Sequence, residues 1–341
     1  MHNRFVIIGA GTLFIIGAAV VSVPAPQPHV QTVQEHESLR RSNIRNEPIQ
    51  PLLAALDLDE GKVSLGRVLF HDTRLSVDDS VSCASCHDLQ MGGDDNRPVS
   101  IGVQGKEGIR NAPTVFNASL NFRQFWDGRA RTLEEQIEGP LFNEAEMGWD
   151  TWAHLLEVLS SQEDLKSSFG DVFSDGLTKE NLIDAITTFE RSLITIGSPF
   201  DRWLRHEDDA MTERELEGYQ LFKDVGCIAC HQGKNVGGNL FQRVGRIEST
   251  EFEEGDDAAR HLGRFDITGK EGDRYRFKVP TLRNIELTAP YLHNGSIQEL
   301  SDVIQFMAKH QLGAVLNDEE VDLIERFLLT LTGDLPESVT R

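Results

Sequence analysis

The stretch Cys83-Ala84-Ser85-Cys86-His87 decides how this chain is read, and it recurs further on as Cys227-Ile228-Ala229-Cys230-His231. In a CxxCH run, two thiols with two residues between them can each add to a vinyl group of one haem. The adjacent imidazole then lies below the ring, where it can bind iron. The two runs use up all four cysteines. A zinc site or a disulfide is the competing reading of a CxxC pair, but a structural zinc site more often lacks a His placed directly after each pair. Two c-type haems are therefore expected, one held by Cys83, Cys86 and His87 and the other by Cys227, Cys230 and His231.

At 341 residues the chain has room for two domains, and the spacing of the motifs suggests one haem in each. Hydrophobic residues at 39% and charged residues at 26% are ordinary for a soluble globular protein. The formal charge is −22, from 33 Lys and Arg against 55 Asp and Glu. A nucleic-acid duplex would repel so acidic a chain, and no stripe of Lys and Arg compensates. A small basic redox partner suits the charge, although solubility alone explains it equally well.

Arg4 precedes an apolar run over residues 5–23, which leads into Pro24-Ala25-Pro26 without a clean small-x-small cleavage site. Residues 1–26 thus read as an uncleaved membrane anchor, with a cleaved export signal as the alternative; either exports the rest. The polar, Pro-containing segment 27–51 reads as a tether. Helices are expected over 59–70, over 150–160 and over 178–196. Others should start at the capping pairs Thr132/Glu135, Thr212/Glu215 and Ser296/Glu299 and near Asn317 and Glu320, the first of them ending at Gly139-Pro140. Gly92, Gly93, Gly102, Gly105 and Gly108 mark a loop close to a ligand, and residues 237–278 read as a long loop around the second haem. Strand-like alternation is nearly absent, so the fold is expected to be all-α. The acidic segment 206–212 is the expected boundary, giving domains over 52–205 and 206–341.

Set side by side, "LGRVLFHDTRLS", "SCASCH", "RNAPTVFNASLNFRQFWDGRA", "EEQIEGPLFNEAEM", "SPFDRWL", "GCIACH" and "LRNIELTAPYLHNGS" resemble the bacterial dihaem cytochrome c peroxidases, a family that includes the MauG-type enzymes. The resemblance covers about residues 65–333. It implies two cytochrome c-like helical domains, an N-terminal peroxidatic haem and a C-terminal electron-transfer haem. It also implies reduction of hydrogen peroxide to water with electrons from a small cytochrome c or copper protein, in the periplasm.

The same resemblance implies residue roles. Glu146 is the catalytic glutamate, and a carboxyl in an apolar haem pocket has its pKa raised, which suits a proton donor. Taken alone, Glu146 reads as a solvated loop acid. Gln136 and Pro140 line the same pocket, where Gln136 is placed to hydrogen-bond peroxide; on a short helix it is equally a surface amide. Met307 is the second axial ligand opposite His231, although periodicity alone makes it a core Met. Trp126 lies between the haems and assists electron transfer, or simply packs there. Asn111, Thr288 and Pro290 form a calcium site from one side-chain oxygen and two backbone carbonyls. His293 lies near the second haem's edge. A homodimer is compatible with the resemblance.

One departure matters. Many family peroxidases carry a removable His ligand in a run resembling "SIGHGWQKGPRNAP", where this chain reads "SIGVQGKEGIRNAP" over residues 100–113. Val103 takes the His position and cannot bind iron. The first haem is therefore expected to be open when fully oxidised, with no reductive activation; Lys106 or Met91 could substitute as a ligand, though the spacing favours neither, and His71 reads as structural or exposed. Two rival functions remain: a MauG-like enzyme oxidising a side chain of a partner protein, which Met307 opposes because those proteins carry Tyr there, and a plain dihaem electron carrier, for which Glu146 has no use.

Overall fold

A computed structural model describes residues 44–53, 56–253 and 261–340. The expected anchor or signal over residues 5–23, and most of the expected tether, lie outside the described residues. The helices that build the cores are α1 (Glu60–Phe70), α2 (Leu133–Phe142), α3 (Trp152–Ser160), α4 (Glu163–Val172), α5 (Lys179–Ser192), α6 (Pro199–Leu204), α7 (Glu213–Val225), α8 (Leu300–Met307) and α9 (Asp318–Leu329). Among the described residues none of the helices is long and apolar enough to cross a membrane.

The capping chemistry explains where these helices begin. Asp59 accepts from the Lys62 amide to start α1, Thr178 accepts from Asn181 to start α5, and complete capping boxes at Thr212/Glu215 and Asn317/Glu320 start α7 and α9. Other expectations are corrected. Ser296 does not cap α8, whose N-cap is Glu299. Pro140 does not stop α2; it sits in the last turn, where the helix forgoes one hydrogen bond and runs on to Phe142. Helix α5 ends at Ser192 rather than near 196, because Leu193 and Thr195 turn to pair with Asn117: the Asn117 amide donates to the Leu193 carbonyl at 2.8 Å, and Asn117 Oδ1 accepts from the Thr195 amide at 3.0 Å. Helices α4 and α6 are not among the helices expected. Within the segment read as a long loop, β1 (Phe241–Arg243) pairs antiparallel with β2 (Arg276–Lys278), Phe241 opposite Lys278.

Each half repeats one device: the helix leading into the CxxCH run crosses a later helix at a glycine. A Cβ on Gly66 of α1 would lie 2.0 Å from the Ala185 carbonyl oxygen of α5, and one on Gly218 of α7 would lie 1.9 Å from that of Leu323 on α9. Only glycine permits these backbones to approach so closely. Around the first crossing Leu65, Leu69, Leu155, Phe169, Leu182 and Ile186 form an apolar core; around the second Phe200, Tyr219, Phe222, Ile324, Phe327 and Leu331 form another.

Near each end of the described residues a segment crosses to the other half. Residues 44–50 strap onto the second core: Ile49 is fully buried there, and the Gln50 amide donates to the Gly233 carbonyl at 3.3 Å. Part of the stretch read as a tether is thus packed. At the other end Val339 packs beside Phe70 and Phe189 of the first half. A buried ion pair holds the second half together. Arg283 meets Asp201 through two 2.9 Å contacts and also donates to the Lys234 and Gln50 carbonyls, with both side chains wholly enclosed.

Candidate haem sites and the loop between them

Cys83–Cys86 form one helical turn that Ser82 and Ser85 cap reciprocally. His87 follows with its Nδ1 3.1 Å from the Gly93 carbonyl oxygen, which assigns the proton to Nδ1 and leaves the Nε2 lone pair for a metal. His231 repeats the arrangement with its Nδ1 3.3 Å from the Val236 carbonyl oxygen. Burial pushes both imidazoles towards the neutral form, His231 down to about 4. No disulfide joins the four cysteines, and burial pushes the Cys83 thiol up to about 12 and those of Cys86 and Cys227 up to about 11.

In the second half Cys227, Cys230 and His231 face a cavity of about 210 Å³, and Met307 lies on its wall among Leu282 and Leu328. Two thiols, an imidazole with a free Nε2 and a thioether around one apolar cavity fit a covalently held haem. Met307 ends α8 and opens a π-helical turn, Ala308–Leu312, a local irregularity that often accompanies a functional position.

The first site has different surroundings. After α2 the chain turns through residues 143–148, and the Asn143 side-chain amide donates to Glu146 Oε1 at 2.6 Å. Half-buried Glu146 has its carboxyl held above the ordinary range by burial, with Arg129 and Asn143 pulling the other way. Its charge adds to the upward shift of the Cys86 thiol, so the carboxyl lies within electrostatic reach of the haem-attachment turn. Val103 is 1% exposed; its amide donates to the Glu146 carbonyl at 2.9 Å, and its side chain packs toward Val77 and Gly148. Of the substitutes, Lys106 donates to the Glu144 carbonyl at 3.2 Å and Met91 is exposed. Gln136 is half-buried on α2, one turn before Pro140.

A single loop reaches both sites. Gln124 and Ala130 bridge its base, and Phe125 adopts φ 65°, a left-handed value that a bulky residue rarely takes. The Phe125 ring lies against Gly139 of α2, and the Arg129 guanidinium sits 3.4 Å over that ring, on the Glu146 side. Trp126, next in sequence, lines the second cavity instead and donates from Nε1 to the Asn111 carbonyl at 2.9 Å. Its ring meets His293 edge-on at 6.4 Å, and His293 is paired with His261 at 2.7 Å.

Asn111, Thr288 and Pro290 all line this second cavity. The Asn111 side-chain amide donates to the Arg97 carbonyl at 2.9 Å, which leaves its Oδ1 as the group for a cation. Three groups escaped the reading of the sequence: Asp94 and Glu190, each with one buried carboxylate oxygen lacking a hydrogen-bond partner, and Lys278, buried on the second cavity. No spacing or periodicity distinguishes them from solvated charges.

The fold and these sites define a helical protein with two haem-attachment positions in unlike surroundings. Comparison with known proteins agrees. A sequence model described as di-haem cytochrome c peroxidase matches residues 60–209. The chain is 46% identical over 289 residues to cytochrome c peroxidase Ccp of Escherichia coli (strain K12), covering 85% of this chain and 62% of that one, so it spans a little under two thirds of that relative. It is 46% identical over 293 residues to cytochrome c551 peroxidase of Nitrosomonas europaea, covering 86% of each. A solved structure, a MauG-like protein associated with microbial copper homeostasis, matches with a TM-score of 0.73 at 30% identity, over 85% of this chain and 95% of that one. This chain belongs to the di-haem cytochrome c peroxidase family.

Proposed function

We infer that this protein reduces hydrogen peroxide to water with two electrons from a small cytochrome c or copper protein, entering at the C-terminal site and passing to the N-terminal one. One observation carries the reading: Met307 faces the same cavity as His231, whereas the Cys83–His87 site has a half-buried carboxyl, Glu146, and an apolar Val103 in its place. A bound haem supplies the iron and the redox equivalents. Cys83, Cys86 and His87 hold it at the first site, and Cys227, Cys230, His231 and Met307 at the second. Burial holds the Glu146 carboxyl above its ordinary range and so favours the protonated donor, which delivers its proton to the leaving oxygen of the peroxide. Gln136 orients the peroxide from α2. Trp126 supports electron transfer along the loop that also carries Phe125 and Arg129.

Residues 52–205 and 206–341 serve as the two domains, with α6 at the end of the first segment packing onto the second core. Asn111 Oδ1 with the Thr288 and Pro290 carbonyls offers a calcium ion a modest site between them. Export to the periplasm, with residues 5–23 as anchor or signal, matches haem attachment through CxxCH. Oxidation of a partner protein's side chain is the second reading, supported by the likeness to the MauG-like structure. Steady-state peroxide reduction by the as-isolated oxidised protein with a reduced cytochrome c tests the choice. Rapid turnover supports the peroxidase; no turnover, with oxidation of an added protein, supports the second reading.

A further inference from the structure

The cavity at Cys227–His231 is mainly apolar, and among the described residues Lys278 is the one Lys or Arg that lines it. Lys278, at the end of β2, is 5% exposed and lines it. Its amide donates to the Trp126 carbonyl at 2.7 Å, so the residue is anchored at the Trp126 end. Among the described residues lining the cavity there is no Asp, Glu or Arg, and no described group accepts a hydrogen bond from Lys278 Nζ. Burial alone pulls the ammonium down, to about 8, with no acid to offset it. An ammonium buried in an apolar wall without a counter-charge is costly, and native structures pair such a group. The missing partner is an anion that the occupant of the cavity brings with it.

We propose that Lys278 binds a propionate carboxylate of the second haem and holds that edge of the ring at Trp126. The assignment rests on a haem occupying this cavity, as the proposed function requires. An ammonium also matches the propionate as a point charge, so it orients the ring without demanding a fixed bidentate geometry. Its positive charge favours the reduced haem, and thus makes the second site a better acceptor.

The test uses the holoprotein. Haem content per chain is counted first, and peroxide turnover is measured separately. Each haem is then followed by redox potentiometry and by the propionate bending bands in its resonance Raman spectrum. Lys278→Met is expected to weaken reduction of the second haem about tenfold, a fall of about 59 mV in its midpoint, with the first haem unmoved. Lys278→Arg is expected to keep the midpoint and shift the propionate bands. If Lys278→Met takes up only one haem, Lys278→Arg decides: two haems with shifted bands uphold the contact, and failure to recover the second haem overturns it. Two haems per chain with the midpoint and the bands unchanged in Lys278→Met overturn the assignment while leaving the peroxidase reading intact. A wild-type protein without the second haem overturns both.

Discussion

Replacing Glu146 by Gln isolates its proton. The amide has nearly the volume of the carboxyl, and its oxygen still accepts the 2.6 Å hydrogen bond from the Asn143 side chain, so the turn over residues 143–148 keeps its shape. What is lost is the acidic hydrogen. A positioned general acid contributes roughly 10²–10⁴ in rate, which at 1.36 kcal/mol per tenfold is about 3–5 kcal/mol of the barrier. The pH dependence follows from the same burial. Because the Glu146 pKa is raised, the donor form persists above the ordinary carboxyl range, and the rate falls as pH rises through that raised value. Arg129 opposes the shift, so Arg129→Gln moves the alkaline limb to higher pH. Peroxide reduction with a reduced cytochrome c, followed across pH, measures both effects. Glu146→Gln is expected to fall by those two to four orders of magnitude and to lose the alkaline limb. Turnover within about threefold of wild type, with that limb in place, refutes the role of Glu146.

Three further outcomes are expected. With Val103 buried beside Glu146 and no side-chain lone pair at its position, the oxidised protein shows a high-spin first haem in its EPR spectrum and turns over without prior reduction; a wholly low-spin spectrum counts against this. Glu190 is buried with an unpaired oxygen and its pKa is pushed up to about 8 by burial, Arg191 opposing and Glu134 adding to the shift. The folded state then holds a proton that the unfolded chain releases above the ordinary 4.5, so stability declines between that value and about 8, by about 1.4 kcal/mol per pH unit for one proton. Glu190→Gln removes that slope, and denaturant unfolding at several pH values in this window, showing equal slopes in both proteins, is the adverse result. Arg283→Met strands the enclosed Asp201 carboxylate and is expected to cost about 3–5 kcal/mol in urea unfolding, part of which Asp201→Asn recovers in the double variant; an additive double variant contradicts the pairing.

Much of the fold was legible because its signals are local. A CxxCH run carries its chemistry within five residues, and caps such as Asp59, Thr178, Thr212/Glu215 and Asn317/Glu320 act within one helical turn, so their positions were readable without neighbours. The errors came where distant chain segments intervened. Asn117 ends α5 from well upstream, and Gly66 and Gly218 are required by backbones far along the chain that cross them. Motif resemblance marked Glu146 and Met307; that Glu146 lies within electrostatic reach of Cys86, and that Met307 shares a cavity with His231, are matters of tertiary structure.

The sequence by itself determined two haem-attachment turns, a helical fold and an acidic chain. Only the tertiary structure decided which charges are solvated and which are enclosed. Burial and pairing are set by what packs around a side chain, and a lone Lys278 in a charged segment looks like any surface lysine until the apolar cavity closes over it.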